Sequence, residues 1–329
     1  MTALLRFILA IPVVLGAAWG GLFLGLRLPG PAWFARSVAV LWFASVIFAL
    51  LRVRPIGRKL GALAALFLLV LAWWATFRPS NDRAWTPDVA RLATAEVHGD
   101  TLVLHNLRDF DYRSETQFTE RWEDRTYDLA KLTGVDLFLS YWGSPDIAHT
   151  IMSWEFSDGQ HLAISIETRK ERGEEYSALR GFFRQYELYY VVADERDVIR
   201  LRTNYRDEDV YLYRLRIPVA IARAVLLDYV DTLNDIAERP RFYNALVDNC
   251  TTGIRVHVQR VGAARPWDWR LLVNGRGDEM LYERGVIDTS KPFAELKQAS
   301  RIAARAKEAD LAPDFSQRIR QGLPPRDVR

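Results

Sequence analysis

Val135-Asp136-Leu137-Phe138-Leu139-Ser140-Tyr141-Trp142 is followed by Gly143-Ser144-Pro145, and then by His149 to Phe156, Ser157-Asp158-Gly159 and His161 to Thr168. The first run is apolar on both parities, as in a buried strand, and the Gly-Ser-Pro group ends it. The second and third runs are strands joined by a tight Asp-Gly connection, a hairpin signature. With a period of two, His161, Ala163, Ser165 and Glu167 share one face of the third strand. Leu162, Ile164 and Ile166 point the other way, into a core. Working outward, Val97 and Thr101-Leu102-Val103-Leu104 flank a Gly99-Asp100 turn, an early hairpin. Glu187 to Ala193, Val198 to Arg202 and Val210 to Ile217 read as further strands.

The period then changes. Pro218 to Glu238 carries apolar residues at helical spacing, with Pro218 in the first turn and Pro240 beyond the end. Asn249 to Val261 reads as a second helix capped by Asp248 or Asn249. Residues 263–329 read as irregular apart from a helix over Phe293 to Ala309. Strands early and helices late predict an α+β domain with an antiparallel sheet.

Upstream the chain has a different character. Residues 1–77 hold seven Lys/Arg and no Asp or Glu, which leaves 37 Lys/Arg against 41 Asp/Glu for the remainder. The excess of positive charge therefore lies wholly in the first quarter. No concentrated basic face is expected on the large domain, which argues against nucleic acid. Phe7 to Leu26 and Leu60 to Phe77 carry no charge, and Pro31 to Leu51 carries only Arg36. At about 1.5 Å per residue each can cross a hydrocarbon core of roughly 30 Å. Three transmembrane helices are expected, over about 7–26, 31–51 and 60–77, with Trp33, Trp73 and Trp74 near the interfaces. The first segment also has features of a signal peptide, although its apolar core is long for one. The loop Arg52 to Lys59 has four positive charges in eight residues, so it is expected to stay cytoplasmic. The third helix then exits, placing the rest in the periplasm of an inner-membrane protein. The expected organisation is a membrane anchor over 1–77, a linker with the early hairpin over 78–110, and a periplasmic domain over 111–329.

Cys250 is the single cysteine. It stands at an expected helix start, in Asp248-Asn249-Cys250-Thr251-Thr252, where free amides and the helix dipole favour a thiolate. Asn249 and Thr251 are candidates for the cap and for an oxyanion hole. A thiol nucleophile needs an imidazole within reach. His257 lies seven residues along the same helix, too far to pair, and reads as an ordinary helix-face histidine. His98 reads as solvated and His105 ends the early hairpin. His149 begins a strand after a break, at a sheet end. Glu167, His161 or Ser165 on the adjacent strand could orient it, Glu167 fitting best because a carboxylate stabilises imidazolium. Glu167 could equally be a surface carboxylate paired with Arg169 or Lys170. The run Arg169 to Glu175 reads as a solvated connection, and Arg276-Gly277-Asp278 as a chance tripeptide. No phosphate loop, dinucleotide turn or zinc spacing is found, so neither cofactor nor metal is expected.

Three stretches resemble the Lnb N-terminal periplasmic domain family, named after a bacterial lipoprotein N-acyltransferase. They are Asp136 to Ser144 running into His149-Thr150, then Ser165-Ile166-Glu167-Thr168-Arg169 with Gly173-Glu174-Glu175-Tyr176, then Asn249-Cys250-Thr251-Thr252. The resemblance spans most of residues 110–325. The order, histidine on a strand before cysteine on a helix, also resembles circularly permuted papain-like thiol proteins of the NlpC and lecithin:retinol acyltransferase types. The resemblance implies Cys250 as nucleophile, His149 as base and a polar neighbour as orienter. It implies acyl transfer from phospholipid to a lipoprotein amine. A cysteine hydrolase of envelope peptide or ester bonds and a non-catalytic envelope binding protein are the alternatives. One departure is architectural: the membrane helices of the named enzyme follow its domain, whereas here three precede it.

Overall fold

A computed structural model describes residues 3–326. The described residues divide into two compact units, 3–80 with 177–185, and 81–176 with 186–326.

In the first unit three helices, α1 (Ala3–Arg27), α2 (Ala32–Arg52) and α3 (Ile56–Thr76), are long and apolar enough to cross a membrane. Gly20 and Gly21 of α1 lie directly beneath the Trp42 and Phe43 rings of α2, where a Cβ would collide. Small residues of this kind let apolar helices approach closely. The Trp42 indole donates to the Ala17 carbonyl at 2.8 Å. Residues 177–185, expected within the periplasmic domain, pack into this unit. Phe183 is buried against Phe23, and the Arg184 guanidinium lies 3.4 Å from the Trp74 ring centroid. Arg184 also donates to the Trp74 carbonyl, one of the acceptors left over at the end of α3.

The second unit is a mixed α+β domain on one large, mostly antiparallel sheet. Its strands are β1 (Thr94–His98), β2 (Thr101–Arg108), β5 (Trp122–Asp128), β6 (Leu132–Tyr141), β7 (Ala148–Phe156), β8 (His161–Arg169), β9 (Glu187–Ala193) and β10 (Asp209–Arg214). Two short strands, β3 (Asp111–Tyr112) and β4 (Phe118–Thr119), pair separately. The sheet runs β1-β2-β9-β8-β7-β6-β10, with β5 on β2, and β2 meets β9 in parallel at Arg108 and Ala193. The Gly99-Asp100 turn closes β1 on β2, Gly99 having a φ of +64°. Residues 94–108, expected to be a hairpin beside a linker, are thus part of the sheet.

Both faces are covered. Leu137, Met152, Trp154 and Ile164 face α5 (Val219–Glu238) and α6 (Cys250–Arg260). Phe138, Ile151, Ala163 and Val191 face the other way, under α4 (Glu195–Arg200), α9 (Ala303–Ala309) and α10 (Phe315–Arg318). The polar row expected on β8 is therefore buried, with Ser165 fully enclosed and His161 nearly so.

Two expected elements differ. Val198 to Arg202 is not a strand. Asp194 caps α4 by accepting from the Arg196 amide, and Glu195 and Asp197 lie in its first turn, where carboxylates favour a helix. The chain continues as a π-helical turn over Leu201–Tyr205. The helix expected over Phe293 to Ala309 is two, α8 (Phe293–Ser300) and α9. Between them Arg301 bridges to Tyr211, and the Ile302 amide donates to the Val210 carbonyl, so β10 draws the backbone out of the helix. The stretch 263–329 is more regular than expected, adding α7 (Gly277–Glu283) and α10.

Candidate active site

The β7–β8 ladder opens at one end. Its pairs run from Glu155 with His161 to Ile151 with Ser165. Beyond that point Ala148 to Thr150 stay with β6, and Ile166 to Arg169 stay with β9. The start of α6 enters beside this parting, which brings the Thr150 amide near enough to the Cys250 sulfur to favour its thiolate. Gly253, one turn later, lies against Ile166, where a Cβ would come within 2.7 Å of Cδ1. A glycine there lets α6 sit close enough to bring its first residue to the sheet.

Asn249 caps α6. Its Oδ1 accepts from the Thr251 and Thr252 amides, each at 2.9 Å, while the Thr252 hydroxyl accepts from the Asn249 amide at 3.0 Å. This reciprocal capping box fixes the helix start at the cysteine. It also corrects one expectation. The Thr251 amide is spent on Asn249, so it is not a free oxyanion donor. Among the described residues the Cys250 amide is the first-turn donor for which no acceptor is found.

His149 stands near the thiol, close enough for the two groups to stabilise each other's charged forms. Its Nε2 lies 2.6 Å from Ser165 Oγ and 3.4 Å from Glu167 Oε1. Ser165 donates to Glu167 Oε1 at 2.8 Å. With that hydroxyl proton committed, Ser165 Oγ accepts from Nε2–H, and the tautomer follows from the network. Nδ1 is then the ring nitrogen left for the thiol. Behind Glu167, Arg202 donates to Oε1 at 2.9 Å and to Glu208 Oε2 at 3.1 Å, and Ser140 donates to Glu208.

The electrostatics follow. Burial pushes the Cys250 thiol up, but His149, the Thr150 amide and Thr251 outweigh it and bring the thiol down to about 7. For His149, burial and Arg202 oppose the charge, and the thiolate and Glu167 overcome them, so its pKa is raised. Burial would raise Glu167, yet His149 and Arg202 hold it well below the usual carboxylate range. The arrangement favours a thiolate beside an imidazolium.

Sequence reasoning placed Cys250, His149, Ser165 and Glu167, and all four are together. His161 is not with them. It sits at the far end of β8 opposite Glu155, roughly 13 Å from Ser165 by strand rise, and its Nδ1 bonds the Gly159 carbonyl. It cannot orient His149. Glu167 pairs with Arg202 rather than Arg169 or Lys170, and Arg169 is buried against Trp85 instead of solvated. His257 is buried in an aromatic stack, 3.7 Å from the Tyr229 ring, and bonded to Asp228.

Two partners were missed. Arg202 was hidden by a strand reading of its segment. Asn274, 24 residues past the cysteine, accepts from the Ala148 amide at 2.9 Å and donates to its carbonyl at 2.6 Å. Its Nδ2 also lies 3.7 Å from the sulfur and 2.8 Å from Thr251 Oγ1. It thus pins the start of β7 to the start of α6. No local pattern marks such a residue. Among the described residues no group of three His, Cys, Asp or Glu is arranged to hold a metal ion.

Residues 118–275 match the family model of the Lnb N-terminal periplasmic domain. That segment is a domain of this family. The match takes in every residue of the site just described, from Ser140 to Asn274, and leaves out the three apolar helices and the β1–β2 hairpin. No curated protein and no solved structure matches the chain. A periplasmic domain joined to three apolar helices fits a protein of the bacterial inner membrane.

Proposed function

We propose that this protein is a membrane-anchored cysteine acyltransferase working on the periplasmic side of the inner membrane. The observation that carries the reading is the hydrogen-bonded line from His149 through Ser165 to Glu167, standing beside the Cys250 thiol at a helix N-terminus. The Cys250 thiolate attacks an acyl carbonyl of a phospholipid. The oxyanion forms beside the Cys250 amide, and the His149 imidazolium gives its proton to the departing alkoxide. A thioester remains. An amine, such as a lipoprotein N-terminus, then attacks it; His149 takes the amine proton and the sulfur leaves as thiolate. Ser165, Glu167 and Arg202 are positioning residues that hold the ring and stabilise its charge. The chain order, histidine strand before cysteine helix, is that of a permuted papain-like enzyme. The anchor supports the reading by confining the site to a bilayer surface, which raises the effective concentration of lipid. The charged loop between the second and third helices supports a multi-pass topology with the domain outside the cytoplasm.

The test is covalent. Full-length protein incubated with phospholipid vesicles is expected to gain one fatty-acyl mass on the Cys250 peptide, discharged by a peptide amine faster than by water. Alkylation by iodoacetamide is expected to rise with pH through about 7. Discharge by water alone at the same rate would make the protein a hydrolase. No adduct, with alkylation no faster than that of a free thiol, would leave a binding protein.

A further inference from the structure

One pocket stands out on the domain. A mostly apolar, half-open cavity of about 530 Å³ lies between the sheet and the helices α5, α6 and α7. Leu137, Leu139 and Met152 form its sheet wall, and Ile221, Ile254 and Met280 face them. An apolar-walled cleft of this size with a few polar groups at one end is the usual form of a ligand site. Two of the arginines on its border, Arg216 and Arg284, are neutralised by Asp288 and Asp268.

Its position is informative. The same cavity is lined by Thr150, Thr251 and Asn274. These form a hydrogen-bonded group, Thr150 Oγ1 lying 3.1 Å and Asn274 Nδ2 2.8 Å from Thr251 Oγ1. Thr251 Oγ1 is 3.9 Å from the Cys250 sulfur, and Asn274 Nδ2 is 3.7 Å from it. One thin polar layer therefore separates the thiol from the apolar space. An acyl carbon bonded to the sulfur would touch that layer, and a chain that parts the Thr150, Thr251 and Asn274 side chains reaches the cavity.

We infer that this cavity receives the hydrocarbon chain of the acyl group carried on Cys250, with the chain length set by Met280 and Ile221. This rests on the thiol chemistry proposed above. The volume is ample for one linear chain, since a methylene takes about the room of a water in the liquid, about 30 Å³. A single alkyl chain is the occupant because its reacting end must reach a thiol at one end of an otherwise apolar space. The three apolar helices keep the domain on a source of such chains.

The test uses the full-length protein in detergent and p-nitrophenyl esters of four to ten carbons, with nitrophenolate release reporting acylation of Cys250. The acylation rate is expected to rise at least tenfold from butyrate to decanoate. Met280→Trp and, separately, Ile221→Phe narrow the cavity. Each is expected to slow the decanoate at least tenfold while the butyrate stays within twofold. A filled variant that keeps the parent's chain-length ratio would overturn the inference. Binding is read apart from reaction in Cys250→Ala, with parinaric acid fluorescence as the probe. Adding Met280→Trp is expected to weaken that binding at least tenfold. Equal binding would overturn the cavity assignment however the thiol behaves. Absence of acylation with parinaric acid binding intact would instead remove the thiol chemistry and leave a chain-binding site. Offering phospholipid vesicles or a diacylated lipopeptide as donor, and reading the adduct mass, tells which of the two supplies the chain.

Discussion

Two ends of the same pair of strands carry nearly the same side chains and do different things with them. At one end His149 meets Ser165, Glu167 and Arg202. At the other, His161 stands near Ser153, Glu195 and Arg320. In both, a serine donates to a glutamate, Ser165 to Glu167 at 2.8 Å and Ser153 to Glu195 at 2.5 Å, and an arginine closes the group. The difference lies in what remains unspent. Glu195 is gripped by both Arg320 nitrogens, at 2.6 and 2.8 Å, and is fully buried. Glu167 keeps 27% of its side chain exposed and lends one oxygen to the His149–Ser165 pair. The ladder is closed at the His161 end and parted at the His149 end, and only the parting admits a helix N-terminus with a thiol. His161 is consequently lowered by burial, whereas His149 is raised by its thiolate and carboxylate neighbours. A histidine, serine, glutamate and arginine therefore do not make a site by composition. A gap in the sheet makes one.

The sharpest way to break this comparison is to remove each histidine in turn. His149→Ala is expected to slow formation of the Cys250 adduct by about 10³- to 10⁴-fold, the usual cost of losing a member of such a constellation. His161→Gln is expected to leave that rate within about twofold. Equal losses in the two variants would make the distinction void.

Stability should show the opposite pattern. Arg320→Leu leaves Glu195 as a buried charge without its partner, while Asp136 keeps Arg326, and is expected to cost about 3–5 kcal/mol in denaturant unfolding. The same network predicts an acid limb. Glu195 is held down to about 2, against an ordinary 4.5; burial opposes this and Arg320 prevails. A depressed folded pKa gives stability that is complete above about 4.5 and is lost as pH falls toward 2. Glu195→Gln should flatten that part of the pH–stability curve. An unchanged acid limb would remove Glu195 as its source.

The smallest effect is electrostatic. Glu167→Gln removes the carboxylate that helps hold the imidazolium, so the thiolate loses part of its counter-charge. The pH midpoint of Cys250 alkylation is expected to move up from about 7 by about one unit. A midpoint that stays put would show that Arg202 and Glu167 act on packing alone.

Much of this was legible in the chain. The three apolar runs, the 135–168 strand group, and a cysteine beside a capping Asn-x-x-Thr are local patterns, fixed by periodicity and by the needs of helix ends. The histidine was found because it follows a strand break. The rest depended on neighbours distant in sequence. His161 and Glu167 share a parity on one strand, and parity does not say how far along a strand the helix will arrive. Arg202 lies in a β-branched run that Asp194 turns into a helix. Asn274 acts through the backbone of Ala148, 126 residues earlier. Residues 177–185 look like part of the domain, and only packing assigns them to the helices.

The sequence alone therefore determined the three long apolar helices, the α+β class and the place of the one thiol at a helix start, because hydrophobic period, charge and capping act over a few residues. Tertiary structure decided which histidine and which carboxylate stand beside that thiol, and that an apolar cavity lies behind it. Those depend on where two strands part and how closely a helix packs into the opening, distances that no short stretch of chain encodes.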